Sequence, residues 1–250
     1  MNNIKRLSLI LVVLFGVTAF VSAQTLESVL AKNYEAQGGL DKLKAVQSTF
    51  VKGKMIMQGM ELPISIYQKR PNFMRSEIMV QGQKIIQVYD GTQGWMINPM
   101  TGSTDPIDMP AEELKSVKEQ ADMDGFLINW KEKGYSLELV GKEEIEGADA
   151  YHIKVTTKDT TIRHIYIDAD SYLQIQQKGK YPSQGKEIEI TNSMGSYKKV
   201  GDLVLPFSSE GKIEGKSFQQ VLMDTMMVNA PVPDSLFVRP KVEKKEKPKE

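Results

Sequence analysis

From Phe50 the apolar positions recur at every second residue, and this period holds over most of the chain. Val51, Met55 and Met57 share one phase with Gly53 and Gly59, while Lys52, Lys54 and Gln58 take the other. Gly59 opens a turn, after which Leu62, Ile64 and Ile66 continue the apolar phase. Such alternation predicts a hairpin with one wet side and one buried side. The strand that reaches Lys69 and Arg70 is stopped by Pro71, which has no N–H to give a ladder. Alternation resumes from Phe73 to Val80, turns at Gln81-Gly82-Gln83, returns through Lys84 to Tyr89 and turns again at Asp90-Gly91. The next segment leaves through Trp95, Met96 and Ile97 and ends at Asn98-Pro99. Short turns between alternating strands predict an antiparallel meander.

Two stretches depart from this period. Leu26, Val29, Leu30 and Tyr34 fall at helical spacing between Thr25 and Gln37, and Gly38-Gly39 ends the pattern, predicting an N-terminal helix packed on a sheet face. Pro110 to Asp122 reads as a second helix, with Glu112 and Glu113 early and Leu114, Val117 and Ala121 along one stripe. Asp124 is placed to cap a further short helix carrying Phe126, Leu127 and Trp130 before Gly134. Strand patterns then return from Tyr135 to Val228, including Ala150 to Thr156, Thr160 to Ile167 and Phe218 to Val228. The expected class is mainly β (α+β): about ten to twelve antiparallel strands in a sheet that curls, with a helical insert positioned as a lid.

The ends and the composition locate this unit. Lys5 and Arg6, the apolar run Leu7 to Phe20 and the small residues Val21-Ser22-Ala23 have the form of a secretory signal peptide cleaved near Ala23. Residues 24–240 are then the folded domain, and the charged run 241–250 is expected to be a disordered tail. The chain has no Cys, so neither disulfides nor a lipid-bearing cysteine enters the expectation, and a soluble exported protein is expected. The 250 residues carry 32 basic and 32 acidic side chains; loss of Lys5 and Arg6 with the leader leaves a formal charge of −2. That balance gives no electrostatic argument for nucleic acid.

Candidate chemistry is sparse. His152 and His164, the only histidines, take the polar phase of alternating strands and read as surface residues. Two His and no Cys make a transition-metal site improbable, and no other cofactor motif occurs. Asp168 and Asp170 read as turn residues rather than a calcium loop. No serine has a G-x-S-x-G context and no glycine cluster forms a phosphate cradle, so no catalytic residue is assigned and an enzyme is not expected. The 14 methionines are the stronger signal. Met55-Met57-Met60, Met74-Met79, Met96-Met100 and Met223-Met226-Met227 sit on or beside one-sided strands. An unbranched, polarisable side chain suits an adaptable apolar cavity as well as a core. The residues expected to line that cavity are Met55, Met57, Leu62, Ile64, Ile66, Met74, Ile78 and Trp95, with Phe126 and Trp130 from the insert.

Lys69-Arg70-Pro71-Asn72, followed by Asp90-Gly91, Trp95 and Asn98-Pro99, resembles the periplasmic outer-membrane lipoprotein carrier family (LolA/LolB-like). Gly141 to Gly147, Tyr166-Ile167-Asp168, Leu205-Pro206 and Pro233 to Phe237 resemble its Bacteroidetes-type sorting relatives. The resemblance implies an incomplete antiparallel β-barrel whose concave apolar face is covered by helices. It also implies a monomeric carrier that shields the acyl chains of lipoproteins during sorting to the outer membrane. Such a carrier takes acylated lipoproteins or lipids from an inner-membrane donor and passes them to an outer-membrane acceptor, without a cofactor. By the same resemblance Arg70 latches the lid to the barrel, its donors reaching lid backbone carbonyls. The alternative the fold leaves open is an envelope sensor or interaction domain that binds another lipid or a protein partner.

Overall fold

The computed structural model describes residues 24–183 and 185–241. The expected signal peptide, and the charged tail from residue 242 onward, lie outside them. Thr25 caps α1 (Leu26–Ala36) by accepting a hydrogen bond from the Ser28 N–H at 3.2 Å, and α2 (Leu40–Ala45) follows after two glycines. Five antiparallel strands come next, β1 (Ser48–Met57), β2 (Met60–Lys69), β3 (Phe73–Val80), β4 (Gln83–Asp90) and β5 (Gly94–Ile97), with the two-residue β6 (Ile107–Asp108) at the margin. This is the meander expected from the alternation, with turns at the expected glycines.

After α3 (Ala111–Ala121) and a long connection, the chain forms β7 (Ser136–Ile145), β8 (Ala148–Thr156), β9 (Ile162–Asp168), β10 (Gln174–Ser183) and β11 (Lys186–Gly195). A small ribbon of β12 (Lys198–Val200) and β13 (Leu203–Leu205) precedes β14 (Ser208–Ile213) and β15 (Lys216–Val228). One sheet of 13 strands runs β6-β5-β4-β3-β2-β1-β15-β14-β11-β10-β9-β8-β7. It is not closed: β6 is one edge and β7 the other. The sheet exceeds the expected ten to twelve strands because β6 is too short, and β14 (SSEGKI) too polar, to show a period in sequence.

The two halves of the sheet meet where β15 pairs with β1. There the register shifts between Lys52 and Gly53, and a Cβ at Gly53 would stand 2.1 Å from the Leu222 carbonyl oxygen. Only a residue without a side chain lets these backbones approach so closely. The insert leaves from β6 and enters β7, so it crosses between the two edges of the open sheet. Its first part is the predicted helix, α3. Its second part is not: residues 123–134 form successive turns, with Gly125 and Asn129 at φ +56° and +54° interrupting helical hydrogen bonding. Among the described residues no helix is long and apolar enough to cross a membrane.

Three apolar cores result. The first places Val29 and Leu30 of α1, with Phe126 and Leu127 of the insert, on Ile153, Val155, Ile165 and Ile167 of β8 and β9. The second seats Val117 and Ala121 of α3 on Met74 and Tyr89 of β3 and β4. The third lies on the outer side of the sheet, where the C-terminal segment brings Ala230, Val232 and Phe237 onto Val88 and Trp95.

Candidate functional site

Cross-strand register decides which predicted residues share the inner face. Met55 pairs with Leu62, Gly53 with Ile64, and Ile64 with Ile78, so these side chains project to the same side. Met74 lies opposite Gln68 and reaches the same side. Between this face and α3 is a cavity of about 600 Å³, within the range of ligand sites. Met55, Met57, Ile64, Ile66, Met74 and Ile78 form one of its walls, and Ile190, Met194, Val221 and Met223 contribute from the other half of the sheet. Leu62 is on this face beside Met55, outside the cavity wall. A second cavity of about 470 Å³ lies toward α1 and α2, bounded by Val46, Val51, Met194, Met226 and the insert residues Phe126 and Leu127. Met194 borders both spaces.

Trp95 and Trp130 belong elsewhere. Trp95 pairs with Val88, Val88 with Arg75 and Arg75 with Tyr67, which is the outer phase of the sheet. Trp95 is 1% exposed there, under the C-terminal segment, and its Nε1 finds no partner among the described residues. Alternation fixes two phases but does not say which one faces the cavity, and here both are apolar. Trp130 is half-buried against the α1 core with Lys131 Nζ 5.0 Å from its ring centroid, because the connection does not continue as a helix that would turn it inward. Phe126 touches that core and also the second cavity.

Arg70 does join the sheet to the insert, through a carboxylate rather than through lid carbonyls. Its Nη2 is 2.5 Å from Asp124 Oδ1, and its Nε donates to the Val46 carbonyl at 2.6 Å. Asp124 Oδ2 accepts from Asn129 at 2.8 Å, which holds the turn around the carboxylate. Burial alone would raise the Asp124 pKa. The hydrogen bonds from Arg70 and Asn129 and the charges of Arg70 and Lys133 outweigh it, and the carboxyl titrates below the usual range.

A second attachment is absent from the sequence-based expectations. Arg163 of β9 is 1% exposed and reaches Glu119 of α3, Nη2 to Oε2 at 2.7 Å and Nε to Oε1 at 3.3 Å. Tyr181 of β10 donates to Glu119 Oε1 at 2.9 Å, and the guanidinium stands 4.2 Å from the Tyr181 ring centroid. Burial first, then the Glu119 charge, raises the Tyr181 phenol to about 12. Gly179, opposite Arg163, makes room: a Cβ there would lie 2.7 Å from Arg163 Cδ. One signal was present in the sequence. Arg163 has the same parity as Ile165 and Ile167, and a charge in the apolar phase of a strand calls for a buried partner. Gln68 adds a bond to the Gln120 carbonyl at 2.7 Å, so α3 is tied to strands in both halves of the sheet.

The histidines are also less exposed than their phase implied. His152 is stacked on Tyr166, its Nδ1 2.5 Å from Glu143 Oε1 and its Nε2 2.7 Å from His164 Nδ1. Burial, then the neighbouring His152, Lys178 and Lys154, lower the pKa of His164. Asp168 acts as a turn residue, accepting from the N–H and hydroxyl of Ser171. Among the described residues no group of three or more His, Cys, Asp or Glu is placed to hold a metal ion.

The sequence matches no family profile and no curated protein, whereas the fold has clear counterparts. A DUF1329 family protein from Desulfovibrio piger superposes with a TM-score of 0.56 at 14% identity, covering 86% of this chain and 98% of that one. A LolA superfamily protein from Nitrosomonas europaea gives 0.56 at 15% identity, with the same coverage of both chains. The chain has a LolA-type fold. A putative outer membrane lipoprotein-sorting protein domain from Vibrio parahaemolyticus gives 0.54 at 11% identity, covering 84% of this chain and 94% of that one. At these identities the likeness establishes the half-barrel and its covering helices. It leaves the ligand to be argued from this chain's own residues.

Proposed function

We propose that this protein is a periplasmic carrier that shields the acyl chains of lipoproteins, or of other lipids, during their transfer to the outer membrane. The observation that carries the reading is the Met- and Ile-lined cavity between an open sheet and an insert held by side-chain bonds at Arg70–Asp124 and Arg163–Glu119. Burying an acyl chain there requires apolar area and few directional contacts, and thioethers adapt to chains of different shape. Uptake requires α3 to leave the sheet, so the ligand must offset the apolar stripe that α3 exposes. Release then requires closed and open states separated by only a few kcal/mol. In this reading residues 1–23 are the export signal, 24–240 the carrier domain and 241–250 a solvated tail. Native mass spectrometry of the protein purified from the cell envelope tests it. Co-purified acylated species are the expected result, whereas a lipid-free protein that also takes up no lipid when mixed with acylated peptides would overturn it.

A further inference from the structure

Within the cavity under α3, three polar side chains have no hydrogen-bond partner among the described residues. Asn192, Ser209 and Gln219 all face this space, and none makes a side-chain hydrogen bond among the described residues. They do not lie at random. Asn192 pairs with Gly211 and Gly211 with Gln219, so two carboxamides flank a position without a side chain on neighbouring strands. Gln220 pairs with Ile56, beside the β1–β2 turn, so this polar strip crosses the end of the sheet where the hairpin turns lie. Ile66 and Met74 line the same cavity nearer the opposite end. A carboxamide both donates and accepts without charge; Asn192 and Gln219 are half-buried and within reach of water, so an acyl chain that displaces this water must return its hydrogen bonds, as a polar group on the chain would. Among the described residues no Lys or Arg lines this cavity and the one carboxylate is Glu119, already engaged by Arg163 and Tyr181.

We infer that the cavity selects an acyl chain joined through an uncharged ester or amide, whose carbonyl group bonds Asn192 and Gln219 while the hydrocarbon extends toward Ile66 and Met74. This rests on the carrier reading and specifies the link it recognises. A free fatty acid is disfavoured, since its carboxylate would meet no unpaired cation and would lie in the same cavity as Glu119.

The test is competitive binding to the delipidated mature protein with four probes of equal chain length: methyl palmitate, palmitamide, palmitate and hexadecane. The ester and the amide should each bind about tenfold or more tighter than hexadecane and palmitate, as expected for one or two hydrogen bonds formed in an apolar site. Asn192→Leu with Gln219→Leu should abolish that preference while hexadecane binds at least as well. Gln219→Met alone, a milder change, should reduce it. Equal binding of ester, amide and hydrocarbon by the wild-type protein would overturn the inference while leaving the carrier reading intact. Failure of all four probes to bind would overturn both.

Discussion

Two arginines on the sheet, Arg70 and Arg163, hold the insert, and their surroundings predict unequal consequences of removal. Arg70→Leu strands Asp124, whose side chain is 8% exposed, and should cost roughly 2–3 kcal/mol in a denaturant melt, the low end for a buried charge pair because Arg70 keeps some solvent contact. Removing Asp124 as well should recover part of that loss, and a double-mutant cycle with no coupling would return Arg70 to a strand-end charge. Gly179→Ala requires no unusual backbone, yet its methyl would displace the Arg163 side chain and should destabilise by about 1–3 kcal/mol. His164 supplies a pH dependence. Its folded pKa is lowered, so between that value and the unfolded value of about 6.5 the unfolded chain binds more protons. Stability from this group is therefore complete above about pH 6.5 and declines as pH falls through the lowered pKa. His164→Gln should flatten that slope, as read from melts between about pH 4 and 8.

At the scale of elements, α3 is distinguished by how it is attached. Its apolar stripe rests on β3 and β4, Gln68 and Gln87 of β2 and β4 add side-chain bonds on that half, and Glu119 alone among the described residues reaches across to β9 and β10. Glu119→Gln keeps the shape but removes the charge that Arg163 faces. Amide hydrogen exchange in α3 should then quicken by about tenfold or more, with exchange in β1 and β2 unchanged. Uniform acceleration across the sheet would mean that α3 is part of the core rather than a separable cover. The seam between β1 and β15 has a different sensitivity, because it holds the two halves of one sheet together. Gly53→Ala should weaken the whole fold by about 3 kcal/mol or more, since the atom opposing the new methyl is backbone and cannot rotate away.

For the molecule as a whole, an open 13-stranded sheet forms the back of the cavity and the insert crosses in front of it. The back was legible in the sequence. Strict alternation in β1 to β4, glycine turns and Thr25 before α1 are local signals, and local sterics and hydrogen bonding are enough to realise them. The same alternation is enough to put Met55, Met57, Ile64, Ile66, Met74 and Ile78 on one face. What the sequence by itself did not determine is which way that face turns and what meets it. Trp95, expected in the cavity, lies on the outer side, because both phases of β5 are apolar and only docking of residues 230–237 distinguishes them. Arg163 finds Glu119 44 residues earlier in the chain, and Asn192 comes level with Gln219 across an intervening strand. Period-two and period-3.6 patterns record each element's own geometry, whereas these contacts depend on the order in which strands pair, a property that exists only once the sheet has formed.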